Sequence, residues 1–119
     1  MPSAAEFLLT LVLLPLVDLP WLWLSSTLAL PAYEKIQGGR VIRPNLLAAL
    51  PVYLALAYLH GQQTSVAGAA ATGAAVYAVY DFTVLTLFQD FTLPLAIADT
   101  LWGGLLFAIV FSIVRAAGF

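Results

Sequence analysis

Apolar residues run almost unbroken through four stretches of the chain, 7–28, 45–60, 67–87 and 93–114, with polar intervals only at 31–43, 61–65 and 89–90. A helix crosses the hydrocarbon of a bilayer with about 20 mostly apolar residues at about 1.5 Å rise each. The pattern therefore predicts an all-α fold, an integral membrane bundle of four transmembrane helices, forming one transmembrane domain over residues 1–119. The second segment is short and interrupted by Pro51, with Tyr53, Tyr58 and His60 towards its far end. The third opens on Gly68-Ala-Ala-Ala-Thr72-Gly73-Ala-Ala, a small-xxx-small run that lets backbones approach closely, and is expected near the centre of the bundle. Thr92 and Pro94 suit the first turn of the last helix.

Composition agrees with this reading. The 119 residues are 63% hydrophobic and 8% charged, with a mean hydropathy of +1.02, far from the quarter of charged residues usual in soluble chains. The formal net charge of −2 is small and scattered, and no basic run with interleaved aromatics occurs, so nucleic acid is not expected as a partner. Cysteine is absent, which excludes disulfides, thiolate metal sites and a cysteine nucleophile. The first apolar segment lacks a basic n-region, carries Asp18 in its middle and is followed by no A-x-A-like site, so it reads as a retained span. Lys35, Arg40 and Arg43 lie between the first two segments, and by the positive-inside rule the 31–44 loop is expected to be cytoplasmic with both termini outward.

The informative residues are Asp18, Asp81 and Asp99, each inside an apolar segment that contains no lysine or arginine. An ionised aspartate at the bilayer centre costs about 2.5–3.5 kcal/mol on insertion scales, so such a group is a functional-site hypothesis by default. Counting from helix middles, Asp18 lies near mid-bilayer and Asp81 and Asp99 about 6–7 Å towards the charged loop. All three share one slab of membrane. Pro15 and Pro20 bracket Asp18 and free backbone carbonyls one turn earlier, so a local kink is expected there.

The first and last segments each carry Asp followed three residues later by Trp, as Asp18-Leu-Pro-Trp21 and Asp99-Thr-Leu-Trp102. If the two helices pack antiparallel, Trp102 comes level with Asp18 and Trp21 with Asp99. An indole N–H is a donor only, so each could serve the opposite carboxyl in a reciprocal clasp. The alternative for all three acids is structural: hydrogen-bonded to Trp21, Trp102, Tyr77 or Tyr80, they would fix helix register.

The set Asp18-x-x-Trp21-Leu22, Arg43-Pro44-Asn45, Tyr80-Asp81-x-Thr83-x-x-Thr86-Leu87, Pro94 and Asp99-x-x-Trp102-Gly103 resembles the domain of unknown function 2177 family of membrane proteins over nearly the whole chain. The resemblance implies four spans and no established activity. It carries over Asp18, Trp21, Asn45, Tyr80, Asp81, Thr83, Thr86, Asp99, Trp102 and Gly103 as motif positions without assigned roles. The chain departs from the pattern at Val84, where an Asn is usual, and at Leu93, where Trp is common.

Other candidates are weaker. His60 is the only histidine and sits where the second segment should end, so an interfacial anchor is preferred to a metal ligand or proton relay. An oxygen-only Na⁺, Ca²⁺ or Mg²⁺ site could draw on the three carboxylates with Thr83, Thr86 or Thr92, although a helical wheel places Thr83 and Thr86 opposite Asp81. Tyr33, Tyr58 and Trp23 read as interfacial belt residues. No Gly-rich phosphate loop, H-E-x-x-H or nucleophile elbow occurs, and no cofactor is expected.

The leading expectation is thus binding or translocation of a proton or small cation at Asp18, Asp81 and Asp99, supported by Trp21, Asn45, Tyr77, Tyr80, Thr83 and Trp102. The alternatives are a non-catalytic accessory or assembly subunit and a small lipid-modifying enzyme using an acid pair. Beyond the lipid bilayer, the expected partner is a second copy of the chain or a larger membrane subunit.

Overall fold

The computed structural model describes residues 2–119, and these form four helices: α1 (Ala4–Ile36), α2 (Leu46–Gly61), α3 (Val66–Leu87) and α4 (Leu93–Ala116). Each helix starts on a polar cap whose side-chain oxygen accepts a backbone N–H three residues on. Ser3 accepts from Glu6 at 3.1 Å, Asn45 from Ala48 at 3.2 Å, Ser65 from Gly68 at 3.0 Å and Thr92 from Leu95 at 3.4 Å. Caps of this kind answer donors that would otherwise be orphaned at a helix start. α1 stops where Gly38 and Gly39 take positive φ values of 76° and 85°, a conformation that side-chain-bearing residues adopt at a cost.

α1, α3 and α4 are long and apolar enough to cross a membrane, whereas α2, with 16 residues, is apolar but shorter. The 33 residues of α1 would extend about 50 Å at the standard rise, well beyond the hydrocarbon core of a bilayer. Here the structure corrects the sequence reading, which begins a loop at Pro31. The helix instead continues through Pro31 to Ile36, because Ala32 is buried against Phe91, Leu95 and Ala96 from the far end of the chain. The connection between α1 and α2 is accordingly residues 37–45.

The helices form a ring in chain order. α1 lies against α2 and α4, α3 against α4, and α2 and α3 touch only sparsely. The closest seam joins α3 to α4. A Cβ added at Gly73 would strike the carbonyl oxygen of Gly103 and the ring of Phe107, and one added at Gly103 would strike the ring of Tyr77. The small-residue run of α3 therefore makes one very close contact, and it does not make α3 the central helix. The most buried helix is α4, with Gly103, Gly104, Leu106, Phe107 and Val110 among its buried residues, while α3 buries only Ala69, Gly73 and Asp81.

Two apolar clusters hold the bundle. One gathers Leu14, Leu56, Ala57, Phe107 and Val110 towards the 62–65 turn, and the other gathers Ala32, Phe91, Leu95 and Ala96 towards the 37–45 connection. Lipid tails are as apolar as leucine, so helix association in a membrane depends on close packing and polar bonds more than on burial itself. Exposed Trp23, Leu46 and Leu47, each near 80% accessible, fit a lipid-facing surface.

Candidate functional site

Between the two apolar clusters lies a cleft of about 460 Å³, walled by all four helices and the turn that precedes α4. Asp18, Asp81 and Asp99 all line it, together with Tyr33, Tyr53, Tyr77 and Tyr80. The remaining wall is apolar, including Leu22, Val52, Val76 and Leu95, and among the described residues no lysine, arginine or histidine reaches it.

The α1–α4 seam sets the geometry of two of the acids. Because the helices run antiparallel, the two Asp-x-x-Trp turns face each other. Trp21 donates from Nε1 to Asp99 Oδ1 at 2.8 Å, and Trp102 donates from Nε1 to Asp18 Oδ1 at 2.7 Å. The indoles stack with centroids 5.7 Å apart and planes 20° from parallel. The reciprocal clasp expected from the two motifs is thus present. α2 adds a third donor, since the Tyr53 hydroxyl donates to Asp18 Oδ2 at 2.7 Å. Both oxygens of Asp18, a residue only 4% exposed, are therefore engaged.

Asp81 is different. It is 1% exposed and lies against the carboxyl group of Asp99, and neither of its oxygens accepts from an N–H or hydroxyl donor among the described residues. Ionised carboxylates only accept hydrogen bonds, so two of them side by side cannot bond to each other unless one carries a proton. A buried carboxyl with no donor is rare in folded proteins and needs an explanation. Three acidic oxygens thus remain unanswered by the clasp and by Tyr53: both of Asp81 and the second of Asp99.

The phenols close one end of the cleft. The hydroxyls of Tyr33 on α1 and Tyr80 on α3 lie 2.8 Å apart, and the Tyr33 ring rests 5.7 Å from that of Phe91. Tyr77 has its ring against Gly103, so its position depends on the absence of a side chain there.

Of the residues singled out in the sequence, Asp18, Asp81, Asp99, Tyr77 and Tyr80 line the cleft, and Trp21 and Trp102 hold its acids. Asn45 and Thr83 do not belong to it. Asn45 caps α2, and Thr83 is exposed on the outer side of α3, as the helical wheel implies. His60 is buried rather than interfacial, with Nε2 3.2 Å from the Phe107 carbonyl oxygen and its ring edge-on to Phe107 at 5.1 Å. Tyr33 is a cleft residue rather than a plain belt residue, whereas Tyr58 and Trp23 are exposed as a belt role requires.

Tyr53, a partner of Asp18, is not among the site residues singled out in the sequence. A signal was available: both fall at the middle of their expected segments, 45–60 and 7–28, so they lie at one depth. Val84, which stands in place of the family's Asn, packs with the Phe91 and Leu95 cluster and gives Asp81 no polar contact. Among the described residues no three Asp, Glu or His side chains converge as a metal-ligand set.

No curated protein and no solved structure matches the chain. One family model does, "Predicted membrane protein (DUF2177)", over residues 3–115, which takes in all four helices and every acid of the cleft. With a match across nearly its full length, the chain belongs to the DUF2177 family of predicted membrane proteins.

Proposed function

We propose that the cleft binds a proton or a small cation and that the protein carries it through the membrane, with Asp81 and Asp99 as the exchanging groups and Asp18 as their anchored neighbour. The observation that supports this reading is Asp81, an acid 1% exposed, lining a cavity with both oxygens unanswered and no basic side chain beside it. A purely structural aspartate in a membrane helix gains its hydrogen bonds, as Asp18 does. Asp81 has only the Asp99 carboxyl beside it, and two adjacent acids need a proton or another cation between them.

The clasp gives the second acid a fixed position. Trp21 holds one oxygen of Asp99 and leaves the other free, and the stacked indoles tie that arrangement to Asp18 across the same seam. By its Lys35, Arg40 and Arg43, the end of the cleft nearer the 37–45 connection is taken as cytoplasmic. Self-association, or association with a larger membrane subunit, would cover the lipid-facing sides of a bundle this small.

The test is flux in proteoliposomes. Wild-type protein should carry protons or monovalent cations above the rate of empty vesicles, and Asp81→Asn and Asp99→Asn should each lose most of that excess. Equal leak in all three would reject transport. A second reading, an assembly subunit whose acids only fix register, draws on the fully bonded state of Asp18, and isolation with a stoichiometric larger membrane protein would favour it. The cleft is also of substrate size, the property expected of a small lipid-modifying enzyme, and turnover of a phospholipid lost in both Asp→Asn variants would select that reading instead.

A further inference from the structure

The dimensions of the cleft say more about its occupant than its acidity does. Sites for small organic molecules run to roughly 300–1,000 Å³, and the cavity here, at about 460 Å³, falls inside that range. A bare Ca²⁺ or Mg²⁺ would fill little of it and would need about six oxygens at close range, whereas the three acids do not converge as a metal-ligand set. The wall is chiefly aliphatic and aromatic, which favours the body of an organic molecule. The polar end of the cleft is the buried Asp81 beside Asp99, two acids with no basic residue to balance them among the described residues. Tyr53, Tyr77, Tyr80, Tyr33 and Phe91 add aromatic surface of the kind that attracts alkylated ammonium groups.

The geometry points to an organic ammonium ion with an apolar body as the occupant: its charged head lies against Asp81 and Asp99, and its alkyl or aryl part fills the space between Val52, Leu22 and Val76. This rests on the cation-binding reading given above and narrows it to a ligand class. A neutral lipid tail would satisfy the apolar wall but leave Asp81 unanswered. An anion would meet only acids and phenols.

The probe is a homologous series, tetramethyl-, tetraethyl-, tetrapropyl- and tetrabutylammonium chloride, titrated calorimetrically into the full chain in phospholipid nanodiscs, with NaCl and KCl at matched ionic strength and empty nanodiscs subtracted. Affinity should rise at least tenfold from tetramethylammonium to the best-fitting homologue. Asp81→Asn should weaken that homologue at least tenfold. Ala49→Phe, on the α2 side of the wall, should move the optimum to a smaller ion. The second variant keeps the test decisive even if removal of the acid perturbs the fold.

A flat series, or binding that ignores both substitutions, would overturn the inference, because membrane partition alone gives that result. Binding confined to Na⁺ or K⁺, or proton flux without any ammonium binding, would overturn it too while leaving the small-cation reading standing. If neither the ammonium series nor Na⁺, K⁺ or proton flux depends on Asp81, both readings fall together.

Discussion

Trp102 reaches across the seam between α1 and α4 and donates its indole N–H to Asp18 at 2.7 Å, against a carboxyl whose other oxygen is already held by Tyr53. One buried acid thereby ties three helices. Interhelical hydrogen bonds in membranes average about 0.6 kcal/mol and reach about 1.7 kcal/mol, and a bond to a buried carboxyl belongs at the upper end. In a thermal-unfolding cycle in detergent, Trp102→Phe and Asp18→Asn should therefore couple by about 1 kcal/mol or more, and Trp21→Phe with Asp99→Asn should couple similarly. Trp21→Phe paired with Asp18→Asn tests the pairing itself and should show a smaller coupling. Additive effects in both matched pairs would mean that the clasp does not form.

Tyr53→Phe removes a single hydroxyl and leaves the ring. Asp18 keeps its bond from Trp102 but loses the donor to Oδ2. An oxygen stripped of its partner in a buried setting costs about 1–3 kcal/mol, so this variant should lower thermal stability by that order. Tyr58→Phe, on the exposed side of the same helix, should be silent. Equal effects from the two would remove Tyr53 from the network.

The α3–α4 seam depends on the absence of side chains. Gly73→Ala would drive a methyl group into the Gly103 carbonyl, and Gly103→Ala would drive one into Tyr77. Overpacking of this kind costs about 1–3 kcal/mol. Gly104→Ala has more room, since its Cβ would come 3.0 Å from the Ala70 carbonyl oxygen and 3.3 Å from the Ala74 methyl group, and it should be the mildest of the three. Because Tyr77 lines the cleft, Gly103→Ala should also reduce whatever activity the cleft supports more than Gly73→Ala does. Detergent melting curves beside flux measurements separate the two effects.

The clasp was legible because it follows from two local facts, an Asp-x-x-Trp turn on each of two helices and their antiparallel direction, which together fix the register of donor and acceptor. The end of α1 was not. Pro31 reads as a helix stop, and what overrides it is the packing of Ala32 on Phe91, Leu95 and Ala96, about 60 positions away in sequence. That misplacement hid Tyr33, which became a cleft residue only once its helix was extended. The small residues of α3 do not make it central for another reason: they signal how closely one neighbour approaches, not how many neighbours there are. Motif membership was equally silent on role, since Asn45 is a helix cap and Thr83 faces outward while Asp81, in the same motif as Thr83, is buried.

Asn45 tests that distinction. As a cap it accepts the Ala48 N–H at 3.2 Å, and Asn45→Ala should lower stability by about 1 kcal/mol while leaving ligand affinity and flux unchanged. Asn45→Asp or Asn45→Ser, which retain a capping oxygen, should restore the stability. A loss of activity in Asn45→Ala that Asn45→Ser does not rescue would return this residue to the functional site.

Asp81 offers the sharpest contrast between holding the fold and serving its cleft. A buried acid whose polar neighbour is a second acid contributes desolvation cost and like-charge repulsion, so replacing it with an apolar side chain of similar size relieves the structure. Asp81→Leu should therefore melt at or above the wild-type temperature in detergent, whereas Asp18→Leu should melt lower, because it strands Trp102 and Tyr53 at once. The same Asp81→Leu protein should be inactive in liposomes. Stability retained with activity lost is the pattern of a group kept for function at the expense of the fold. If Asp81→Leu instead destabilised the protein as severely as Asp18→Leu, the acid would have a structural partner after all, and the cleft would lose the feature on which its functional reading stands.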